Sequence, residues 1–137
     1  MSEFISITPE QVREIHEVIL STEQGLSGEH QGYLEGALNR VATAQYYEGV
    51  DDLFDLAAHY ARAIGEGHCF SDANKRTGLV TCLTFLELNG VVTPRNAALE
   101  DAMVDLTTGD LPLQDFATLL FSLANWYDPD DDDDDKQ

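Results

Sequence analysis

Ten consecutive residues, His68-Cys69-Phe70-Ser71-Asp72-Ala73-Asn74-Lys75-Arg76-Thr77, hold most of the chemistry this chain can offer. They bring together an imidazole, a carboxylate, an amide and two adjacent cations. An imidazole titrates near neutrality and can accept a hydroxyl proton, so His68 is a candidate general base. Asp72 can cap a helix or hold Mg²⁺, a hard cation that prefers oxygen ligands. Asn74 can orient a phosphate oxygen through its amide. An apolar segment from Leu79 to Leu88 follows at once, so the stretch reads as a loop feeding into a buried helix. The N–H groups at a helix start are unpaired and carry partial positive charge, which suits phosphate. Lys75 and Arg76 repel each other and oppose that dipole, so their placement implies an anion that offsets the cost. Phe70 reads as a hydrophobic anchor that holds the loop to the core.

Cations are scarce everywhere else. The chain has 137 residues, with 7 Lys+Arg against 26 Asp+Glu and a formal net charge of −19. Two of the seven cations sit side by side in the motif. Direct binding of nucleic acid is disfavoured, because phosphate contacts need Lys and Arg. The acidity fits either a chain adapted to high salt or an ordinary acidic protein. Residues 128–137, with seven Asp and one Lys, form a like-charge block expected to be a disordered tail. That leaves residues 1–127 as one domain. The first residues lack a basic region and a long apolar run, and no stretch approaches the roughly 18 apolar residues of a membrane span. A cytoplasmic protein with no membrane contact is expected. Cys69 and Cys82 have no CxxC partner and read as reduced thiols, Cys69 as a passive loop residue. His16, His30 and His59 lie at no metal-ligand spacing and read as structural or solvent-exposed.

The elements that must position the motif are helical nearly throughout. Thr8-Pro9-Glu10-Gln11 is a capping box with Pro at the first helical position, and Val12, Ile15, Val18 and Ile19 follow on one face. A second helix is predicted over 33–47. Asp51 or Asp52 caps a third, which Gly65 and Gly67 end. The fourth starts near Ala73 and stops at Asn89-Gly90; its apolar residues cover almost the whole circumference, which makes it the central helix. Thr93-Pro94 opens a fifth that ends at Gly109. A sixth begins at Asp110 to Pro112, with Phe116, Leu119, Leu120, Leu123 and Trp126 on its core side. No run of strand period stands out. The fold class is all-α, a compact six-helix bundle around a central apolar helix.

The motif resembles that of the Fic/Doc family, and the Doc (death-on-curing) branch in particular. The family pattern H-x-F-x-[D/E]-G-N-[G/K]-R stands here as His68-x-Phe70-x-Asp72-Ala73-Asn74-Lys75-Arg76. The resemblance extends over about residues 5–127. It implies transfer of part of a nucleotide to a protein hydroxyl, with ATP and Mg²⁺. Doc-type members of the family resemble kinases that move the terminal phosphate onto a translation factor such as elongation factor Tu, and so inhibit translation as toxins. Carried onto this chain, His68 would be the base and Asp72 would hold Mg²⁺. Asn74, Arg76 and the helix-start N–H groups, from Ala73 through Lys75, would hold phosphates, and Phe70 would anchor the loop. Three departures from the AMP-transferring branch favour phosphate transfer: Lys75 and Ala73 replace glycines, and Leu79 stands in place of a second arginine. The family's inhibitory pattern [S/T]xxxE[G/N] has no strict match; Ala44 to Glu48-Gly49 lacks the hydroxyl. The resemblance therefore implies control in trans by a Phd-like antitoxin. Transfer of AMP, and a non-catalytic module that binds nucleotide or antitoxin, are the alternatives.

Overall fold

The computed structural model describes residues 3–126. Six helices carry the chain: α1 (Pro9–Thr22), α2 (Tyr33–Tyr46), α3 (Leu53–Glu66), α4 (Asn74–Leu88), α5 (Ala97–Thr108) and α6 (Leu113–Leu123). Two short strands, β1 (Val91–Val92) and β2 (Asn125–Trp126), pair antiparallel with Val91 opposite Trp126. The all-α bundle expected from the periodicity is the fold observed. Among the described residues no helix is long and apolar enough to cross a membrane. The acidic tail and the side chain of Trp126 lie outside the described residues, and β2 places the Trp126 backbone beyond α6.

Local chemistry sets most helix ends. Thr8 Oγ1 accepts from the Gln11 N–H at 3.2 Å while Gln11 Oε1 accepts from the Thr8 N–H at 2.8 Å, closing the capping box that starts α1. Asp52, rather than Asp51, caps α3 by accepting from the N–H groups of Phe54 and Asp55. Gly109 ends α5 in the left-handed region at φ 90°. Two boundaries differ from expectation. α5 begins at Ala97 with Asn96 as its cap, not at Thr93-Pro94, because Val91–Val92 is drawn into the pairing with Asn125–Trp126 and the chain must turn before a helix can start. Gly65 lies inside α3 rather than ending it.

That glycine and Gly78 explain how the two central helices meet. A Cβ on Gly78 would lie 2.8 Å from the Ala61 carbonyl oxygen and 3.0 Å from the Gly65 nitrogen. The backbones of α3 and α4 therefore touch, with no side chain between them. Around this crossing Leu56, Ile64, Leu79, Cys82, Phe85 and Leu86 are buried. Each fully buried large side chain contributes about 1.5–3 kcal/mol. α3 and α4 share the centre; α4 is not buried on every side, since Leu88 is exposed and Val80 half-buried. On α1 the buried face is Val12, His16 and Ile19, while Val18 points to solvent. A histidine thus takes the place on that face that the apolar pattern assigned to Val18.

Candidate functional site

The motif occupies the turn from Gly67, the cap that follows α3, to Asn74, the first residue of α4. The turn is tight enough to need two residues in the left-handed region, His68 at φ 52° and Ala73 at φ 64°. Each such non-glycine residue costs about 1 kcal/mol, and such conformations concentrate at functional sites. Ala73, not Asp72, is the N-cap of α4, and it supplies no side-chain cap. The N–H groups of Asn74, Lys75 and Arg76 consequently have no hydrogen-bond partner among the described residues, and the first helical bond runs from the Thr77 N–H to the Ala73 carbonyl. The start of α4 is thus uncapped, the kind of helix end that can take an anion.

Three side chains hold the turn in shape. Asn74 Oδ1 accepts from the Phe70 N–H, and its Nδ2 donates to the Phe70 carbonyl, both at 2.9 Å. The amide read from sequence as a phosphate ligand therefore closes the loop, with one Nδ2 hydrogen left over. The buried Phe70 ring stacks on His16, centroids 3.9 Å apart and planes 9° from parallel. His16 Nε2 lies 3.0 Å from the Asp72 carbonyl oxygen, and His30 Nδ1 lies 2.6 Å from the His68 carbonyl oxygen. A carbonyl only accepts, so both imidazoles donate there. The loop at 28–30 runs alongside, with the His30 N–H on the Cys69 carbonyl and the Ser71 N–H on the Gly28 carbonyl. Cys69 is fully buried, and burial pushes its thiol up to about 11, which fits a passive loop residue.

The groups left free face outward. His68 is exposed and its side chain has no hydrogen-bond partner among the described residues. Asp72 accepts from the Leu26 N–H at 3.0 Å and the Ala73 N–H at 2.8 Å, and these two bonds, Leu26 first, hold its carboxyl below the usual carboxylate range. Lys75 is exposed and unpaired with any carboxylate among the described residues. Arg76 is engaged: its Nη1 lies 3.2 Å from Glu23, which also takes two bonds from Arg95 at 2.8 and 3.2 Å. The offsetting anion inferred for the two cations is thus, for Arg76, partly supplied by the chain itself. Asp72 and Arg76 share an open cleft of about 800 Å³ with Glu23, Gln24, Gly25 and Leu26. Gly25 fits there because a Cβ would press on Leu20 at 2.6 Å and crowd both Arg76 and Asp72. His68 stands outside this lining, at the other end of the same loop. Glu48 of the near-inhibitory pattern lines a different groove, between α2 and α3.

The model of the Fic/DOC family matches residues 6–86, which spans α1 to the body of α4. The chain belongs to the Fic/Doc family. Within that family it is similar to the "Protein kinase doc" of Escherichia phage P1, 37% identical over 115 residues that cover 83% of this chain and 91% of the relative. It is also similar to the "Toxin Doc" of Mycolicibacterium smegmatis, 33% identical over 99 residues, 68% of this chain and 75% of the relative. Both relatives carry the Doc name, so this Fic/Doc chain is of the Doc type. Leu79, standing where the AMP-transferring branch carries a second arginine, is buried in the core and offers nothing to a ligand.

Proposed function

We propose that this chain is a Doc-type toxin that transfers the terminal phosphate of ATP to a hydroxyl of a protein in the translation machinery. The open start of α4 carries the reading: three unclaimed N–H groups beside Lys75, Arg76 and Asp72, with an exposed imidazole on the same loop. A relative named as a protein kinase supports phosphate as the transferred group. In this reading the N–H groups of Asn74, Lys75 and Arg76 bind phosphate oxygens, and the side chains of Lys75 and Arg76 neutralise their charge. His68 takes the proton of the target hydroxyl as its oxygen attacks the terminal phosphorus. The bond from that phosphorus to the bridging oxygen breaks, and ADP leaves. Phosphoryl transfer asks little covalent chemistry of a protein beyond such positioning and charge neutralisation.

The donor set fits Mg²⁺. Asp72 presents an ionised carboxylate whose two oxygens each accept one backbone N–H and keep a lone pair. Such an ion is held by one or two carboxylates plus phosphate oxygens, and when bound it would neutralise the phosphate chain. A relative named as a toxin supports a partner antitoxin; in this reading that antitoxin is Phd-like and acts in trans, and the site of action is the cytoplasm, beside ATP and ribosomes.

The test uses purified protein, cell extract, Mg²⁺ and ATP labelled on the α- or the γ-phosphate. Label entering a protein band from γ-labelled ATP alone, and falling by about 10²–10⁴-fold in His68→Ala, is expected. Label from α-labelled ATP alone would replace the reading with AMP transfer. No label in salt-matched extract would replace it with a binding module.

A further inference from the structure

The chain's seven cations are distributed unevenly. Arg13, Arg76 and Arg95 each hold carboxylates. Lys75 belongs to the motif, and Lys136 lies outside the described residues. The two that remain, Arg40 of α2 and Arg62 of α3, line one and the same groove, and neither is paired with a carboxylate among the described residues. With 26 acidic side chains available, this is not for want of partners.

The groove runs between α2 and α3 and encloses about 470 Å³. Gly36 leaves one wall open, since a Cβ there would meet nothing within 4 Å. The helices are joined by a short turn and run antiparallel, so Glu48, just past α2, and Glu66, the last residue of α3, lie at opposite ends. Positive charge sits in the middle and negative charge at both ends. A string of phosphates would meet repulsion at each end. A polypeptide with one carboxylate between neutral residues would meet two guanidinium forks that hold no carboxylate of the described residues, and such forks match a carboxylate in shape. The groove also reaches the site. Arg40 Nη2 donates to the Ala63 carbonyl at 3.4 Å and lies 3.1 Å from where a Cβ on Gly67 would stand, one residue before His68.

We infer that the α2/α3 groove docks a segment of the protein substrate through one acidic side chain, taken by Arg40 and Arg62, and presents a hydroxyl a few residues away to His68. This rests on the reading of the chain as a protein-modifying transferase. Acidic side chains a short distance from the modified hydroxyl are the feature it selects.

The test reads the Arg Nε–Hε signals of ¹⁵N-labelled full-length protein. Three probes are titrated: acetyl-Gly-Gly-Asp-Gly-Gly-Thr-amide, its Asp→Asn twin, and inorganic phosphate. The Asp peptide should shift the Arg40 and Arg62 signals saturably in the millimolar range, with the Asn twin about 10-fold weaker, as expected for loss of a hydrogen bond to a charged group. The backbone amide of Thr43, which lines the same groove, should shift with the Asp peptide in the unsubstituted protein and no longer respond in an Arg40→Gln/Arg62→Gln variant. No shift, equal shifts with both peptides, or phosphate binding as tightly as the Asp peptide would each overturn the inference. No turnover is read, so the result stands or falls apart from the label-transfer experiment. Where that experiment identifies a target, the double variant should raise its KM and leave kcat unchanged. A fall in kcat at constant KM would overturn substrate docking.

Discussion

Replacing Gly78 with Ala tests the contact that places the motif. The added Cβ would stand 2.8 Å from the Ala61 oxygen, 3.0 Å from the Gly65 nitrogen and 3.4 Å from the Gly65 Cα. All three are backbone atoms, so no side chain can swing aside and α3 must move away from α4. Overpacking of this kind costs about 1–3 kcal/mol. Against it, Ala gains about 0.8–1 kcal/mol over Gly in helix propensity. The net expectation is a loss of about 0–2 kcal/mol, centred near 1, which at a slope near 2 kcal/mol per molar urea lowers the unfolding midpoint by up to roughly 1 M. Gly36 supplies the control. It is also helical, yet a Cβ there meets nothing within 4 Å, so Gly36→Ala should show the propensity gain alone and raise the midpoint. The assay is urea unfolding followed by circular dichroism. Should Gly78→Ala prove as stable as Gly36→Ala, the backbones of α3 and α4 would not be in contact, and the derived position of the α4 start would be wrong. The same displacement would carry Lys75, whose Cα lies 4.0 Å from the Cβ position on Gly65, and label transfer should fall with stability.

Asn74→Ala strands the Phe70 N–H and carbonyl in a half-buried setting, so it should cost about 1–3 kcal/mol in urea unfolding; an unchanged midpoint would mean the loop holds without it. Asp72 is held ionised by the Leu26 and Ala73 N–H groups, so its contribution is complete above the ordinary Asp value near ~3.9 and disappears as pH falls through the lower folded value. The stability gap between the protein and Asp72→Asn should therefore narrow as urea midpoints are taken from pH 7 to below about pH 4, and a constant gap would contradict the assignment. Cys69, raised to about 11, is roughly one part in a thousand thiolate at pH 8, so iodoacetamide should label neither buried thiol faster than the protein unfolds. Rapid native alkylation of Cys69, seen by mass spectrometry, would show that the loop opens.

What could be read from the sequence followed the range of the interaction. The Thr8 capping box, the α3 cap at one of Asp51 and Asp52, and the Gly109 stop are set within a few residues, and the structure has the first and last as read and takes Asp52 of the pair. The start of α5 was misplaced because a pairing with Asn125–Trp126, remote in sequence, governs it. The motif was legible because its groups are contiguous. The side chains that grip it were not: His16 reaches its partner across 56 positions, His30 across 38, and Glu23 reaches Arg76 across 53. His16 alone left a trace, as the residue between Val12 and Ile19 on the buried face of α1. Nothing in the sequence around Gly78 marks its role, since the close approach that requires it involves a second helix.

The two histidine grips have a consequence for how the site responds to acid. His16 and His30 each donate a ring N–H to a main-chain carbonyl of the loop. An imidazole keeps that hydrogen in the donating tautomer and in the doubly protonated cation alike. Protonation of either ring therefore leaves in place the hydrogen that makes its bond to the loop. His68 has no such tie through its side chain. The imidazole left free of the main chain is thus separate from the two that fix the shape of the loop.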